Sequence, residues 1–258
     1  MTKYALIGEK LGHSLSKILH EKYFEIKGSN STYDLIEIKK ENFDLEFKKL
    51  LAKGYDGINV TIPYKKDVIT YLDYLSPEAE KIGAVNTIKP ENGRLCGYNT
   101  DFFGIIKTFE RYKIEIENKD VVILGTGGAS AAVKAACLHL NAKSVVFVSR
   151  KRKIHDGILT KTYDDIISGD VLINATPVGM YPDIDACPIE KINFSAVFDL
   201  IYNPEKTLLL RRAAAEGKKA VNGLYMLVSQ GIYAQSIWQK IPFEKEINEK
   251  VFDEVKKL

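Results

Sequence analysis

The side chains best suited to chemistry sit in short runs beside glycines, at the ends of apolar segments. Three such runs lie in the first half of the chain. They are Gly12-His13-Ser14-Leu15-Ser16, then Asn59-Val60-Thr61-Ile62-Pro63-Tyr64-Lys65, and Gly83-Ala84-Val85-Asn86-Thr87 taken with Asn99-Thr100-Asp101. Each falls where an apolar strand pattern ends or a helical pattern begins, and α/β sheets gather ligands at such places. Taken singly, the residues are unremarkable. Lys65 reads as a surface lysine, Thr61 as a strand residue, Ser14 as a helix cap, and Asp101 as a carboxylate satisfied by a helix N-terminus.

The second half carries a run of a different kind. Gly125-Thr126-Gly127-Gly128-Ala129-Ser130 follows the apolar run Val121–Leu124 and opens the Ala-rich helical pattern Ala131–Leu140. After a buried strand, the first glycine permits a tight turn. The second lets backbone N–H groups approach a pyrophosphate, and the helix N-terminus faces its charge. Ser130 stands where the dinucleotide fingerprint has its third glycine. The competing reading is a ligand-free turn, and the strand–turn–helix context favours the dinucleotide. The next strand, Ser144–Ser149, ends in Arg150-Lys151-Arg152-Lys153. An NAD site has a carboxylate there for the ribose 2′-hydroxyl. Cations there suit a 2′-phosphate instead, so the cofactor expected is NADP. The competing reading of this run is a solvated basic loop.

The elements around these runs alternate. Strands are expected at Lys3–Gly8, Thr32–Ile38, Gly57–Ile62, Val85–Lys89 and Leu95–Tyr98, the last two joined by an Asn92-Gly93 hairpin turn. Helices are expected at Leu15–Lys27, after a cap at Asn42, at Asp67–Leu75, at Pro77–Ile82 and from Thr100 to Tyr112. The charged stretch Lys113–Asp120 reads as a join. Buried strands follow at Val121–Leu124, Ser144–Ser149, Val171–Asn174, Ala196–Leu200 and Lys219–Val221, with helices between and after. A polar amphipathic helix is expected within Pro242–Leu258. The fold class is therefore α/β, with a doubly wound parallel sheet in the second half.

Composition narrows the rest. At about 150 residues per domain, 258 residues make one large domain or two modest ones. A net charge of +3, evenly spread, gives no case for a nucleic-acid partner. The chain has no apolar run of the roughly 18 residues a membrane span needs, and its N-terminus does not read as a signal peptide, so a cytoplasmic location is expected. Three scattered cysteines and four scattered histidines indicate neither a disulfide framework nor a metal site.

Nearly end to end, the chain resembles the shikimate dehydrogenase family. The resemblance rests on HSLS (13–16), NVTIPYK (59–65), GAVNT (83–87), NTD (99–101), GTGGAS (125–130), NATPVGM (174–180), DLIYNP (199–204) and NGLYMLVSQ (222–230). It implies an N-terminal α/β substrate domain (1–101 with 237–258) and a Rossmann-type NADP domain (102–236). The implied reaction is reversible reduction of 3-dehydroshikimate to shikimate by NADPH, in a monomer or homodimer. Lys65 and Asp101 are similar to the family's catalytic pair. Ser14, Ser16, Asn59, Thr61, Asn86, Tyr202 and Gln230 match positions that hold the polyol acid. Gly125, Gly127, Gly128, Ala129, Ser149, Arg150 and Lys153 match dinucleotide contacts, and Thr176, Gly223 and Met226 fall in motifs near the nicotinamide half. The residue types suit that chemistry, because a sugar-like acid needs dense hydrogen bonding and a lysine beside an aspartate can protonate a forming alkoxide. The chain departs from the family pattern at Lys17 and Glu9-Lys10, where prolines are usual, and at Ser149, where asparagine is usual. His13 and His20 read as structural or capping residues.

Other readings differ in substrate or class. One is a quinate/shikimate dehydrogenase with relaxed substrate choice, and another is a non-catalytic NADP-binding regulator. Methylene-tetrahydrofolate dehydrogenases share a two-domain plan, but their active lysine lies in a Y-x-x-x-K pattern, whereas Tyr64 and Lys65 are adjacent here.

Overall fold

A computed structural model describes residues 1–12, 14–165 and 167–258. The reading of His13 therefore lies outside the described residues. The chain divides into two compact units, Met1–Gly104 with Leu227–Leu258, and Ile105–Met226.

In the first unit, β1 (Lys3–Gly8), α1 (Ser16–Lys27), β2 (Thr32–Glu37), α2 (Phe43–Leu51), β3 (Gly57–Val60), β4 (Tyr74–Leu75), α3 (Pro77–Ile82), β5 (Thr87–Glu91) and β6 (Arg94–Tyr98) follow in order. The sheet runs β2-β1-β3-β5-β6-β4. β1 pairs in parallel with β2 and β3, and β5 is antiparallel to both β3 and β6. Alternation along β1 divides its side chains between the two faces. Ile7 joins a core with Phe43, Phe47, Tyr64, Val68 and Ile88. Tyr4 instead stacks on Phe24 of α1 and on Trp238, at 5.8 and 4.7 Å between ring centroids.

Three local expectations meet the structure here, and two of them change. Asn42 does not cap α2 with its side chain, because Lys40–Asn42 already form a 3-10 turn that leads into the helix. Asp67–Leu75 is not one helix. A 3-10 turn covers Asp67–Tyr71, and the sheet edge then captures the backbone: the Asp73 N–H donates to the Leu95 carbonyl at 2.9 Å, and β4 pairs with β6. The hairpin between β5 and β6 does form at Asn92-Gly93, both with positive φ.

The second unit takes up the chain within α4 (Thr100–Tyr112). It continues through β7 (Asp120–Leu124), α5 (Gly128–His139), β8 (Ser144–Val148), the short strands β9 (Ile154–His155) and β10 (Ile158–Leu159), β11 (Val171–Asn174), β12 (Ala196–Asp199), α6 (Leu208–Ala215) and β13 (Lys219–Val221). Its five-stranded sheet, β13-β12-β11-β7-β8, is parallel throughout. Lys113–Asp120 is no join, because buried Ile114 and Ile116 anchor it inside this unit. Among the described residues no helix separates β11 from β12. The chain returns to the first unit within α7 (Leu224–Gln239) at Leu227 rather than at 237. The reason is that α7 residues well before 237 engage the first unit: Gln230 accepts from Thr100, and Tyr233 stacks on Phe103 at 3.9 Å. α8 (Lys245–Val255) follows.

His20 of α1 shows what the first unit's core demands. It is fully buried, stacks on Tyr33 at 4.0 Å and shares a hydrogen bond with Gln235. Burial pushes its pKa down to about 3. The native state therefore resists protonation of His20 below pH 6.5 until the pH approaches 3, whereas the unfolded chain takes the proton, so stability contributed by the neutral ring is lost as pH falls through that window. In His20→Phe, the dependence of unfolding free energy on pH between about 6 and 4 should be shallower by up to about 1.4 kcal/mol per pH unit. Denaturant titrations at several pH values measure this, and equal slopes in the two proteins would refute it.

Candidate active site

The carboxyl ends of β1 and β3, the start of β5 and the N-terminus of α4 build one polar cluster in the first unit. Register places Leu6 opposite Asn59, and Asn59 opposite Thr87. Lys65 lies beyond β3, and its Nζ donates to Asp101 Oδ2 at 2.6 Å, with side chains 15% and 8% exposed. Asp101 sits in the first turn of α4, where the helix dipole favours a carboxylate. Asn99 sets that helix start. Its Oδ1 accepts from the Phe102 N–H at 3.3 Å, and its Nδ2 donates to the Ala84 carbonyl at 2.9 Å.

Asn86 holds the other side of Asp101. Its Nδ2 donates to Asp101 Oδ1 at 2.8 Å, and its Oδ1 accepts from the Thr100 N–H at 2.7 Å. Gln230 of α7 accepts from the Thr100 hydroxyl at 3.1 Å and lies 3.4 Å from Asn86 Nδ2. Asn59 is more fully committed to the protein. Its Oδ1 accepts from the Tyr33 hydroxyl at 2.7 Å, while its Nδ2 donates to the Asn86 carbonyl and the Thr87 hydroxyl. Ser14 is half-buried, and its hydroxyl accepts from the N–H of Ser16, the first residue of α1, at 3.2 Å. Thr61 is half-buried directly after β3, and its N–H donates to the Ile7 carbonyl. The structure thus gathers Lys65, Asp101, Asn59, Asn86 and Gln230 into one hydrogen-bonded network.

Tyr33, Thr87 and Thr100 belong to this network and were not singled out from the sequence. Thr87 and Thr100 stand in the GAVNT and NTD runs, so their signal was present. Tyr33 gave none, because nothing in Thr32–Ile38 marks one tyrosine as facing a polar partner.

In the second unit the strand order reverses between β7 and β11, and in such sheets ligands bind at the carboxyl ends flanking that point. Gly125 follows β7 with φ 100°, and a Cβ there would lie 2.9 Å from Thr176 Cγ2 and 3.1 Å from the Ala175 carbonyl, so only glycine fits this turn. Gly127 precedes the first residue of α5, Gly128, with Ala129 next, and all three are at least partly accessible. Ser149 is buried, and its hydroxyl is spent on Lys151 O and Thr160 Oγ1, which shapes the loop after β8. Arg150 and Lys153 are exposed on that loop. Arg152, by contrast, is held by both oxygens of Asp165 at 2.9 Å. Exposed backbone donors at a helix start beside exposed cations are the right groups for a dinucleotide bearing a 2′-phosphate. Gly223 is buried against the backbone, where a Cβ would meet Leu200 O at 2.0 Å, and Met226 is buried in α7. Tyr202 is half-buried between β12 and α6. Among the described residues, no group of three or more His, Cys, Asp or Glu side chains could hold a metal ion.

A family model, shikimate dehydrogenase substrate binding domain, matches residues 6–88. The shikimate dehydrogenase (NADP(+)) of Clostridium beijerinckii is 41% identical, over 98% of this chain and 97% of its own length. A crystal structure of a chorismate mutase/shikimate 5-dehydrogenase fusion protein from Clostridium acetobutylicum is similar, with a TM-score of 0.95, 40% identity, and coverage of 100% of this chain and 98% of that one. So is shikimate 5-dehydrogenase from Thermus thermophilus in complex with NADP(H) and shikimate, with a TM-score of 0.87, 30% identity, and coverage of 99% and 100%.

Asn86→Ala would strip Asp101 Oδ1 of its amide donor and leave the buried Thr100 N–H without its acceptor. An expected loss of about 1–3 kcal/mol follows for a buried group left unpaired. It should appear as a lower denaturant midpoint at unchanged slope, and an unchanged midpoint would refute the role given to Asn86.

Proposed function

Since this chain belongs to the shikimate dehydrogenase family, we propose that it catalyses the reversible reduction of 3-dehydroshikimate to shikimate with NADPH. The observation that carries the reading is the 2.6 Å contact between Lys65 and Asp101 inside a dense set of hydroxyls and amides. The first unit is the substrate unit. Its Ser14, Ser16, Thr61, Asn86 and Gln230 supply the donors and acceptors that a polyhydroxylated acid requires. A site of this kind rejects analogues that lack one hydroxyl, because its own polar groups would be left unpaired.

Bound NADPH supplies the hydride for the carbonyl carbon. Lys65 Nζ stabilises the charge that develops on the carbonyl oxygen and passes a proton to it, and in the oxidative direction it takes the proton back. Asp101 Oδ2 fixes the ammonium, while Oδ1 is anchored by Asn86. Gly125, Gly127, Gly128 and Ala129 present backbone N–H groups to the pyrophosphate. Arg150 and Lys153 pair with the 2′-phosphate, and Thr176, Gly223 and Met226 line the nicotinamide half.

Purified protein should reduce NADP when given shikimate, and no turnover at saturating NADP would refute the proposal. Lys65→Ala should lower kcat by roughly two powers of ten or more, the usual scale for an acid–base group.

The exposed and tethered arginines separate a phosphate site from a solvated loop. Arg150→Ala should raise KM for NADP far more than KM for NAD. Arg152→Ala should have the smaller effect, because its guanidinium is already committed to Asp165. Equal changes for both cofactors in Arg150→Ala would overturn the 2′-phosphate assignment.

A further inference from the structure

The second unit contains a fully buried carboxylate that the reading above does not use. Asp199 ends β12, directly opposite Asn174 at the end of β11, which in turn lies opposite Leu124, the residue before Gly125. These three strand ends form the edge of the sheet that carries the glycine turn. Asp199, Asn174 and Thr207 are each fully buried.

The two oxygens of Asp199 accept from three directions. Oδ1 takes Asn174 Nδ2 at 3.0 Å and the Ile201 N–H at 3.1 Å, and Oδ2 takes the Thr207 hydroxyl at 2.7 Å. Asn174 passes the constraint onward. Its Oδ1 accepts from the Thr176 N–H at 3.1 Å and from the Thr176 hydroxyl at 2.7 Å. The Thr176 oxygen then accepts from the Val178 N–H at 3.2 Å, which closes the turn. On the other side, Thr207 caps α6 through the Leu210 N–H at 3.3 Å. One carboxylate therefore holds the turn bearing Thr176, the backbone just before Tyr202, and the start of α6.

We propose that Asp199 is a positioning residue for the nicotinamide end of the cofactor, acting through Asn174 to fix the turn that carries Thr176. This rests on the assignment of NADP to the second unit. Only a carboxylate meets the arrangement in full, because an asparagine at 199 would offer one accepting oxygen to three donors. Burial raises the Asp199 pKa to about 6, despite the three bonds that lower it, so its position is maintained against a desolvation cost. The adenosine end of the cofactor is served by the Arg150 loop and the glycine turn; Gly125 of that turn packs against Ala175 and Thr176, but neither segment carries any of the hydrogen bonds of Asp199, Asn174 or Thr207 described above.

That separation supplies the test. Binding of NADP and of adenosine 2′,5′-bisphosphate, which lacks the nicotinamide half, is measured by calorimetry for the unaltered protein, Asp199→Asn and Thr207→Val. Thr207→Val removes the donor on the side away from Thr176 and provides the reading if Asp199→Asn does not fold. The expected result is NADP binding weakened by roughly tenfold in Asp199→Asn, the equivalent of one net hydrogen bond, and less in Thr207→Val. Binding of the bisphosphate should be unchanged in both. Equal weakening of both ligands, or no weakening of either, would overturn the proposal. Failure of the unaltered protein to bind NADP at all would instead remove the cofactor assignment, and this proposal with it.

Discussion

The first unit is organised around the need to partner both oxygens of Asp101. A carboxylate with so little exposure is costly unless it is paired and hydrogen-bonded. Lys65 takes one oxygen and Asn86 the other. The requirement then spreads outward. Asn86 can turn its amide toward Asp101 only if its own oxygen has a donor, which is the Thr100 N–H at the start of α4. The Asn86 carbonyl and Thr87 hydroxyl in turn accept from Asn59, whose oxygen is held by Tyr33. Each side chain is fixed because its neighbour would otherwise be left unpaired, and networks of this kind stand or fall as units.

The sheet makes that network possible. β5 enters antiparallel beside β3, in a register that sets Thr87 against Asn59. A parallel strand at that position would need a long crossover and would bring a different end of the strand to the site. The hairpin to β6 then returns the chain so that Tyr98 faces Thr87, and α4 begins two residues later. Lys65 and Asp101 are thus brought together by one short hairpin and one helix start, although 36 positions separate them in sequence.

Much of this was legible in the residues, for identifiable reasons. The apolar spacing of α1, the Asn92-Gly93 turn and the continuous apolar strands of the second unit each obey a local rule, and the structure follows it. The GAVNT, NTD and glycine-turn runs lie at strand ends and helix starts, as their composition indicated. What was not legible depends on tertiary partners. Asp67–Leu75 has helical composition, but an available sheet edge takes its second half. Asn42 looks like a cap, but a preceding turn makes its side chain unnecessary. Ser149 and Arg152 sit in a run that reads as one basic surface, yet one hydroxyl is turned inward and one guanidinium is tied to Asp165. Spacing along a chain cannot reveal which of several adjacent polar groups has already found a partner.

The two units solve the same problem with the same residue. In each, an asparagine at a strand end or start donates its amide to a buried aspartate, at 2.8 Å for Asn86 and 3.0 Å for Asn174. In each, its oxygen accepts the N–H of a residue in the following polar turn or helix start, Thr100 at 2.7 Å and Thr176 at 3.1 Å. Asparagine suits this task because one planar group both donates and accepts, so it can link a carboxylate to a backbone N–H without adding charge. The remaining partners set the difference. Asp101 faces the ammonium of a lysine, a charged donor. Among the described residues, Asp199 accepts from an amide, a hydroxyl and a backbone N–H, all neutral donors. The same asparagine–aspartate pairing is therefore completed by a charged donor in the first unit and by neutral donors in the second, and the proposed acid–base and positioning roles rest on that difference.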